Sequence, residues 1–357
     1  VANRVDALIR LGHDVRVVPV HDHRMAPLRY ASLLSGVVRA GLTGPPSPAK
    51  SGTDTVVEAH IAHPTGAFAW PLAVRLRAPL VLFAHGSDVL RLPERSRIDR
   101  ELCQAVFARS GLVIANSRYL AGEVERRFGL PGERIAIVSP GIRYAEFAAA
   151  RDRSARRTQE LLFVANLIPR KGLDVLIAAL AQLARDGAHV PALRVVGDGP
   201  ERWPLHRQAA AAGVRVDFAG ALPQEAVAEE MARAEVLVVP SREEALGLAP
   251  LEGMAAGCVP VVSDLGGLAE SVEDGVTGFA CQPEDPGSLA SALVRALAAV
   301  RDPQRRRALV AAGDRTARGH DVDAAAAATI DRYTELLAAR SGRSSRADRL
   351  GGTEVST

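Results

Sequence analysis

The chain has 357 residues, 48% of them hydrophobic and 24% charged, which is ordinary for a globular protein and enough for two domains that each bury a core. No apolar run approaches the ~18 residues that a membrane span needs, and Cys103, Cys258 and Cys281 are scattered without metal spacing and read as reduced, buried thiols. The net charge of +3 is unevenly shared: residues 1–157 hold 23 Lys/Arg and 14 Asp/Glu, whereas residues 158–357 hold 21 and 27, so different partners are expected for the two halves.

Val1 to Leu11 has helical apolar spacing and ends at Gly12; Val15 to Val20 follows as a strand. Gly41 to Asp54, rich in Pro, Gly and Ser, reads as a loop. Strand and helix patterns then alternate: Val56–Ile61, Gly66–Leu76, Pro79–Ala84, Arg95–Ala108, Leu112–Ala115, Leu120–Phe128 and Ile135–Val138. Such alternation predicts parallel βαβ units. Residues 148–158, with Arg151, Arg153, Arg156 and Arg157, lack an apolar period and read as a linker. A second alternating set runs from Leu161–Val164 through Gly172–Leu183, Leu193–Val196, Glu201–Ala211, Val214–Phe218, Gln224–Arg233, Val236–Val239, Leu248–Ala256 and Val259–Val262 to Leu268–Val272. Asp323–Ala339 reads as a late helix. The polar residues 341–357 read as a disordered tail.

The most informative stretch is Pro240 to Pro260. Glu244 and Glu252 stand eight positions apart, the first in a strand-to-helix loop and the second in the first turns of the helix that follows. Between them Gly247 lets the backbone approach a ligand closely, and the helix start offers free N–H groups to an anion. Carboxylates accept hydrogen bonds from sugar hydroxyls and a helix start takes phosphate, so one segment can hold both halves of a sugar nucleotide.

This segment resembles the E-x7-E motif of the retaining glycosyltransferases of family 4. Lys171-Gly172, Gly197-Asp-Gly-Pro200, Val216-Asp-Phe-Ala-Gly220, Gly266-Gly267 with Glu270, His85-Gly-Ser-Asp88, Asn116-Ser117 and Ser139-Pro-Gly-Ile142 fit in the same order and at similar spacing. The resemblance implies an α/β protein of the GT-B fold, two Rossmann-like domains with parallel sheets facing a central cleft. It implies an acceptor-side domain over residues 1–157, a nucleotide-sugar-binding domain over 158–317, and a helix at 318–340 that crosses back to the first domain. The family usually opens with a strand and a glycine-rich loop ahead of Gly12-His-Asp-Val15; the first strand of the N-terminal domain is missing here, so the chain is expected to be a fragment of a longer protein or to start late.

The roles that the resemblance implies are specific. Glu252 would accept bonds from the ribose hydroxyls, and Glu244, selected over Glu243 by the eight-residue offset, would contact donor-sugar hydroxyls. Gly247 and Leu248 would offer backbone N–H groups to the diphosphate, with Lys171 and Arg170 as cations beside it. Gly197 and Gly199 would form a tight turn near the ligand, and Arg215 and Val216 would run by the base. His85, at a strand end, would lie near donor sugar and acceptor. The chain departs from the family at Asn166, where an arginine is usual, at Leu246 and at Gly253. Asn116 and Ser117 read as structural turn residues, and His60 and His63 as a loop pair without a third metal ligand.

The implied activity is transfer of a hexosyl group from a UDP-, GDP- or ADP-sugar, with retention, to a saccharide, lipid-linked or small-molecule acceptor. No Asp-x-Asp pair sits in a suitable loop, so neither a metal nor another cofactor is expected. The second reading, supported by Asn166 and the missing loop, is a catalytically impaired sugar-nucleotide-binding or scaffold protein. Nucleic acid is a poor partner with 4% aromatics. The basic half, with Arg91, Arg95, Arg97, Arg100, Arg126 and Arg127, suits weak contact with an anionic membrane surface, and the expected location is cytoplasmic, peripheral at the inner membrane face.

Overall fold

The computed structural model describes residues 2–15, 17, 55–154 and 159–350. The chain forms two compact units, Val1–Ser139 with Ala325–Thr357, and Pro140–Ala324.

In the first unit, helix α1 (Ala2–Arg10) precedes strand β1 (Val57–His60). A turn at Ala62–Gly66 leads to α2 (Ala67–Arg75), β2 (Leu80–Ala84), α3 (Ser87–Leu90), α4 (Leu92–Arg95) and α5 (Arg97–Arg109). Strand β3 (Leu112–Ala115), α6 (Arg118–Phe128) and β4 (Ile135–Ile137) follow. The four strands are parallel, in the order β1-β2-β3-β4. Every residue of β2 and β3 is buried, as expected where helices cover both faces of a parallel sheet. Ser96 and Ser117 cap α5 and α6 by accepting from the N–H groups of Asp99 and Leu120.

The second unit begins with α7 (Tyr144–Arg153) and continues through β5 (Gln159–Val164), α8 (Leu173–Arg185), β6 (Leu193–Val196), α9 (Arg202–Ala211), β7 (Val216–Gly220) and α10 (Gln224–Arg233). Then come β8 (Ala234–Val239), α11 (Leu248–Ala255), β9 (Val259–Ser263), α12 (Leu268–Ser271), β10 (Phe279–Cys281), α13 (Pro286–Arg301) and α14 (Pro303–Arg318). The sheet order is β10-β9-β8-β5-β6-β7, all parallel. Counted from β5 this is the 3-2-1-4-5-6 order of a doubly wound nucleotide-binding sheet, whose switch point lies between β5 and β8. The core-facing stripe of α8, Leu173, Leu176, Ile177, Leu180 and Leu183, is buried at helical spacing.

Several sequence expectations differ from what forms. Of the linker expected at 148–158, residues 148–153 belong to α7 and residues 155–158 lie outside the described residues: Phe147 and Ala150 are buried among Met231, Leu251 and Met254, and Arg151 bonds Asp314 at 2.7 Å. A two-residue apolar signal among four arginines hid that helix. The contact division therefore falls at Ser139/Pro140 and Ala324/Ala325 rather than 157/158 and 317/318. Residues 341–350 of the tail expected to be disordered continue the closing helix α15 (Val322–Leu350), and 351–357 lie outside the described residues; the last turns of the helix lack the apolar stripe by which a sequence reading recognises a helix. Residues of α15 from Ala325 on belong to the first unit, where Tyr333 and Leu336 pack against its core. The pattern singles out nothing between Val272 and Asp323, where β10, α13 and α14 form. The strand expected at Val15–Val20 falls mostly outside the described residues, as does the loop Gly41–Asp54. Among the described residues no helix is long and apolar enough to cross a membrane.

Candidate functional site

In the second unit, the loops leaving β5 and β8 meet at the switch point. Gly172 has φ +71°, and a Cβ there would lie 1.9 Å from the Pro240 carbonyl oxygen, so only glycine admits this approach. The Arg242 N–H donates to the Arg170 carbonyl at 2.8 Å. Across this seam the Lys171 Nζ donates to the Glu244 Oε2 at 2.5 Å, both side chains being about four-fifths buried (22% and 18% exposed). Arg170 faces Glu243 at 3.8 Å. The eight-residue offset thus separates two neighbouring glutamates by partner: Glu244 takes the lysine and Glu243 lies near the arginine.

Gly247 precedes α11 with φ +79°, and no side chain caps the helix start. A Cβ at Gly247 would lie 2.5 Å from Leu268 Cδ2 and 3.2 Å from Glu244 Cγ, so a side chain there would push on the carboxylate. Leu248 opens the helix. Glu252 lies one turn further on, half-buried, and its carboxylate makes no hydrogen bond among the described residues. Burial pushes this carboxyl up to about 7, with the Arg143 charge partly opposing. Gly253 explains its own departure from the family's alanine: a Cβ would lie 2.6 Å from Leu237 Cδ2, so the glycine lets α11 sit close on β8. Leu246 is buried.

Gly197 and Gly199 are required by packing. Their Cβ positions would lie 1.9 Å from the Ala165 oxygen and 2.3 Å from the Leu167 oxygen, and Leu167 N–H donates to the Asp198 carbonyl at 2.9 Å. They lock the loop after β6 against the loop after β5, on which Asn166 is exposed. Arg215 and Val216 are a correction. Val216 pairs with Leu193 at the amino end of the sheet, whereas Lys171 and Glu244 lie beyond its carboxyl ends. In a parallel sheet all carboxyl ends share one side, and at β7 that end is Gly220, whose carbonyl accepts from the Gly197 N–H at 2.8 Å.

Sequence reasoning missed Arg242. It donates to both oxygens of Asp174 at 2.9 and 2.6 Å, to Glu284 at 2.8 Å and to the Pro169 carbonyl. Burial alone would raise the Asp174 carboxyl; the bonds to Arg242 outweigh it and leave it lowered. Arg242 therefore ties the Lys171 loop, α8 and the Glu244 loop together. The signal was an arginine two residues before the first glutamate of the motif, which no spacing rule distinguishes. Arg242→Met is expected to lower stability by ~1–2 kcal/mol, because its partners are partly exposed; urea denaturation is the check, with no change overturning the clamp.

In the first unit, His85 follows β2. The Asp88 carboxylate accepts from the N–H groups of His85 at 2.9 Å and Ala62 at 3.1 Å, which fixes the turn. His60 is not part of a loop pair: it ends β1, and its Nδ1 lies 2.8 Å from His85 Nε2. His63 lies 3.8 Å from Asp99. Ser117 caps α6, and among the described residues no three His, Cys, Asp or Glu side chains converge as a metal set. Of the arginines assigned to a membrane surface, Arg97 pairs with Glu101, Arg126 with Glu123, and Arg127 with Glu123 and Glu94; Arg100 bonds the Pro93 carbonyl. The carboxylate pairings of Arg97, Arg126 and Arg127 reduce the charge that the set presents.

The family model described as Glycosyl transferases group 1 matches residues 147–315, and that described as Glycosyltransferase Family 4 matches residues 1–146. The chain is 30% identical to a D-inositol 3-phosphate glycosyltransferase of Streptomyces bingchenggensis over 76% of its own length, spanning 65% of that protein. It is 32% identical to a glycogen synthase of Mycobacterium tuberculosis, over 88% of this chain and 76% of the relative. Among solved structures, Anabaena HepE in complex with UDP-glucose superposes with a TM-score of 0.63 at 24% identity, over 77% of this chain and 76% of that one. WaaG, a glycosyltransferase involved in lipopolysaccharide biosynthesis, superposes with a TM-score of 0.66 at 22% identity, over 93% and 94%. These two likenesses show the GT-B fold.

Proposed function

The chain belongs to glycosyltransferase family 4, and from that premise we propose that it moves a hexosyl group from a nucleoside diphosphate sugar to a saccharide, lipid-linked or small-molecule acceptor, with retention of configuration. The observation that carries this reading is the Lys171–Glu244 pair at the switch point, beside the uncapped start of α11 and the unbonded carboxylate of Glu252. On this reading Glu252 accepts from two ribose hydroxyls and the Gly247–Leu248 backbone receives the diphosphate. That anion competes for Lys171, while a donor-sugar hydroxyl takes its place on Glu244. The bond from the anomeric carbon to the phosphate oxygen breaks as the acceptor oxygen bonds to the same face. The acceptor proton passes to the departing diphosphate, whose growing charge Lys171 and the helix start stabilise.

The test is a thermal-shift screen against UDP-, GDP- and ADP-sugars, followed by NMR of the product's anomeric configuration. UDP-glucose comes first, because a structural relative is described in complex with it. A donor shift followed by a retained anomer supports the reading; an inverted product overturns it. A donor shift with no turnover on any acceptor favours the sugar-nucleotide-binding reading, for which Asn166 is the motivating departure. We also propose that no metal takes part, since Lys171 and a helix start supply the charge that a cation supplies elsewhere. Turnover is expected to be unchanged by EDTA; loss restored by magnesium or manganese would overturn this account of the diphosphate site.

A further inference from the structure

Beside His85 the first unit holds a partly buried polar chain that no motif announces. Glu58 lies on β1 two residues before His60, so both side chains point to one face of the sheet. The Glu58 Oε1 lies 2.6 Å from His60 Nε2, and His60 Nδ1 lies 2.8 Å from His85 Nε2. The far side of the Glu58 carboxylate is held by Arg4 of α1 at 2.5 Å and by the Tyr333 hydroxyl of α15. Arg4 also donates to the Tyr333 oxygen at 3.1 Å and lies 3.7 Å over the Phe83 ring, on which His60 stacks. Asp88 faces the backbone of the same turn. Side chains of β1, α1 and α15 thus converge on one carboxylate of β1.

We propose that Glu58 and His60 are positioning residues that hold His85 as its Nε2–H tautomer, leaving Nδ1 as an acceptor for a substrate hydroxyl. The tautomer follows from which side-chain atoms can donate and which can only accept. Burial alone would raise the Glu58 carboxyl; the His60 bond, the Arg4 charge and the Tyr333 hydroxyl overcome it and bring it to about 2. Glu58 is therefore ionised and can only accept, so His60 donates from Nε2. With a single proton on the His60 ring its Nδ1 accepts, and the 2.8 Å contact then requires a proton on His85 Nε2; a second proton on His60 would make Nδ1 the donor and leave the His85 proton on Nδ1, the outcome that the experiment separates. Burial is the largest cause that lowers His85 to about 4, so at neutral pH one of its ring nitrogens is bare, and with the proton on Nε2 that nitrogen is Nδ1. Without the chain, either nitrogen of His85 could carry the proton.

The role of the bare nitrogen rests on the transferase reading; the tautomer does not. The experiment uses the full chain labelled with nitrogen-15 histidine and reads each ring by long-range proton–nitrogen NMR at neutral pH, with no substrate present. The expected parent signal for His85 has the proton on Nε2. His60→Phe, which keeps the stack on Phe83 and removes the acceptor, is expected to give a mixture of tautomers. Its kcat should fall ~10-fold or more with little change in donor KM. Glu58→Gln keeps the volume and lets His60 present either tautomer, so it is expected to mix the His85 tautomers too, and it decides the matter if His60→Phe does not fold. A parent His85 with its proton on Nδ1, or variants that keep a single Nε2–H tautomer, would overturn the proposal. So would an unchanged kcat in a variant whose tautomer has relaxed. A parent without turnover on any donor would sink the transferase reading and leave the tautomer result standing.

Discussion

Replacing Glu252 with glutamine is expected to stabilise the free protein above neutral pH while removing most of its donor affinity. Burial raises this carboxyl from 4.5 to about 7. Between those values the unfolded chain has lost the proton and the folded one keeps it, so stability falls as pH rises through this window and is lowest above it. Opposing ionisation over that span corresponds to at most ~3 kcal/mol, and because Glu252 is half-buried rather than sealed the expected gain at about pH 8 is ~2 kcal/mol. Glutamine carries no charge to desolvate, so the variant should lack this pH dependence, and the two curves should meet at acid pH. Donor binding runs the other way. Two ribose hydroxyls donating to the carboxylate favour its ionised form, so binding should weaken as pH drops below about 7 and should release a proton there. Loss of the charged acceptor is expected to weaken binding by ~1.5–3 kcal/mol. Denaturation across pH, with calorimetry in two buffers of different ionisation enthalpy, reads both effects. Parallel stability curves would overturn the burial account, and equal affinities would overturn the ribose assignment.

Lys171→Met is expected to lower kcat by ~100- to 1,000-fold, the scale on which a preorganised charge acts at a site of developing negative charge. Donor affinity should fall less, because the helix start and Glu252 remain. The variant also leaves Glu244, four-fifths buried and bonded to Lys171 at 2.5 Å, without its cation, at a stability cost of ~1 kcal/mol or more. That cost separates structure from chemistry. Adding Glu244→Gln removes the unpaired charge and should restore stability while leaving turnover low. A double variant that regains turnover would show that Lys171 acts only by holding Glu244. Lys171→Arg is expected to be a poor rescue, because a planar fork does not reproduce a compact ammonium at so short a contact.

By itself the sequence determined the local signals of both units. Apolar runs such as Leu80–Ala84 and Val259–Val262 read as strands buried on both faces, since they are short, lie among alternating helix patterns and have no polar side. The eight-residue spacing of Glu244 and Glu252 around Gly247, and Lys171 ahead of Gly172, pointed to the second unit's candidate site, because close backbone approach and a free helix start leave local traces in glycine and in chain order. The tertiary structure alone decided which partners meet. Lys171 and Glu244 are 73 positions apart, and no local rule joins them; the switch point between β5 and β8 does. Arg242 looked like any surface arginine until the fold brought Asp174 and Glu284 to it. The amino-end position of Arg215 followed from strand direction, which a residue pattern does not carry. Glu58 and Tyr333 are 275 positions apart, and His60 meets a carboxylate of its own strand and a histidine that follows the next strand. The physical reason is common to all of these. Periodicity and turn chemistry act over a few residues and are written in the chain, whereas burial of a charge beside its partner depends on which distant segments the sheet order places together.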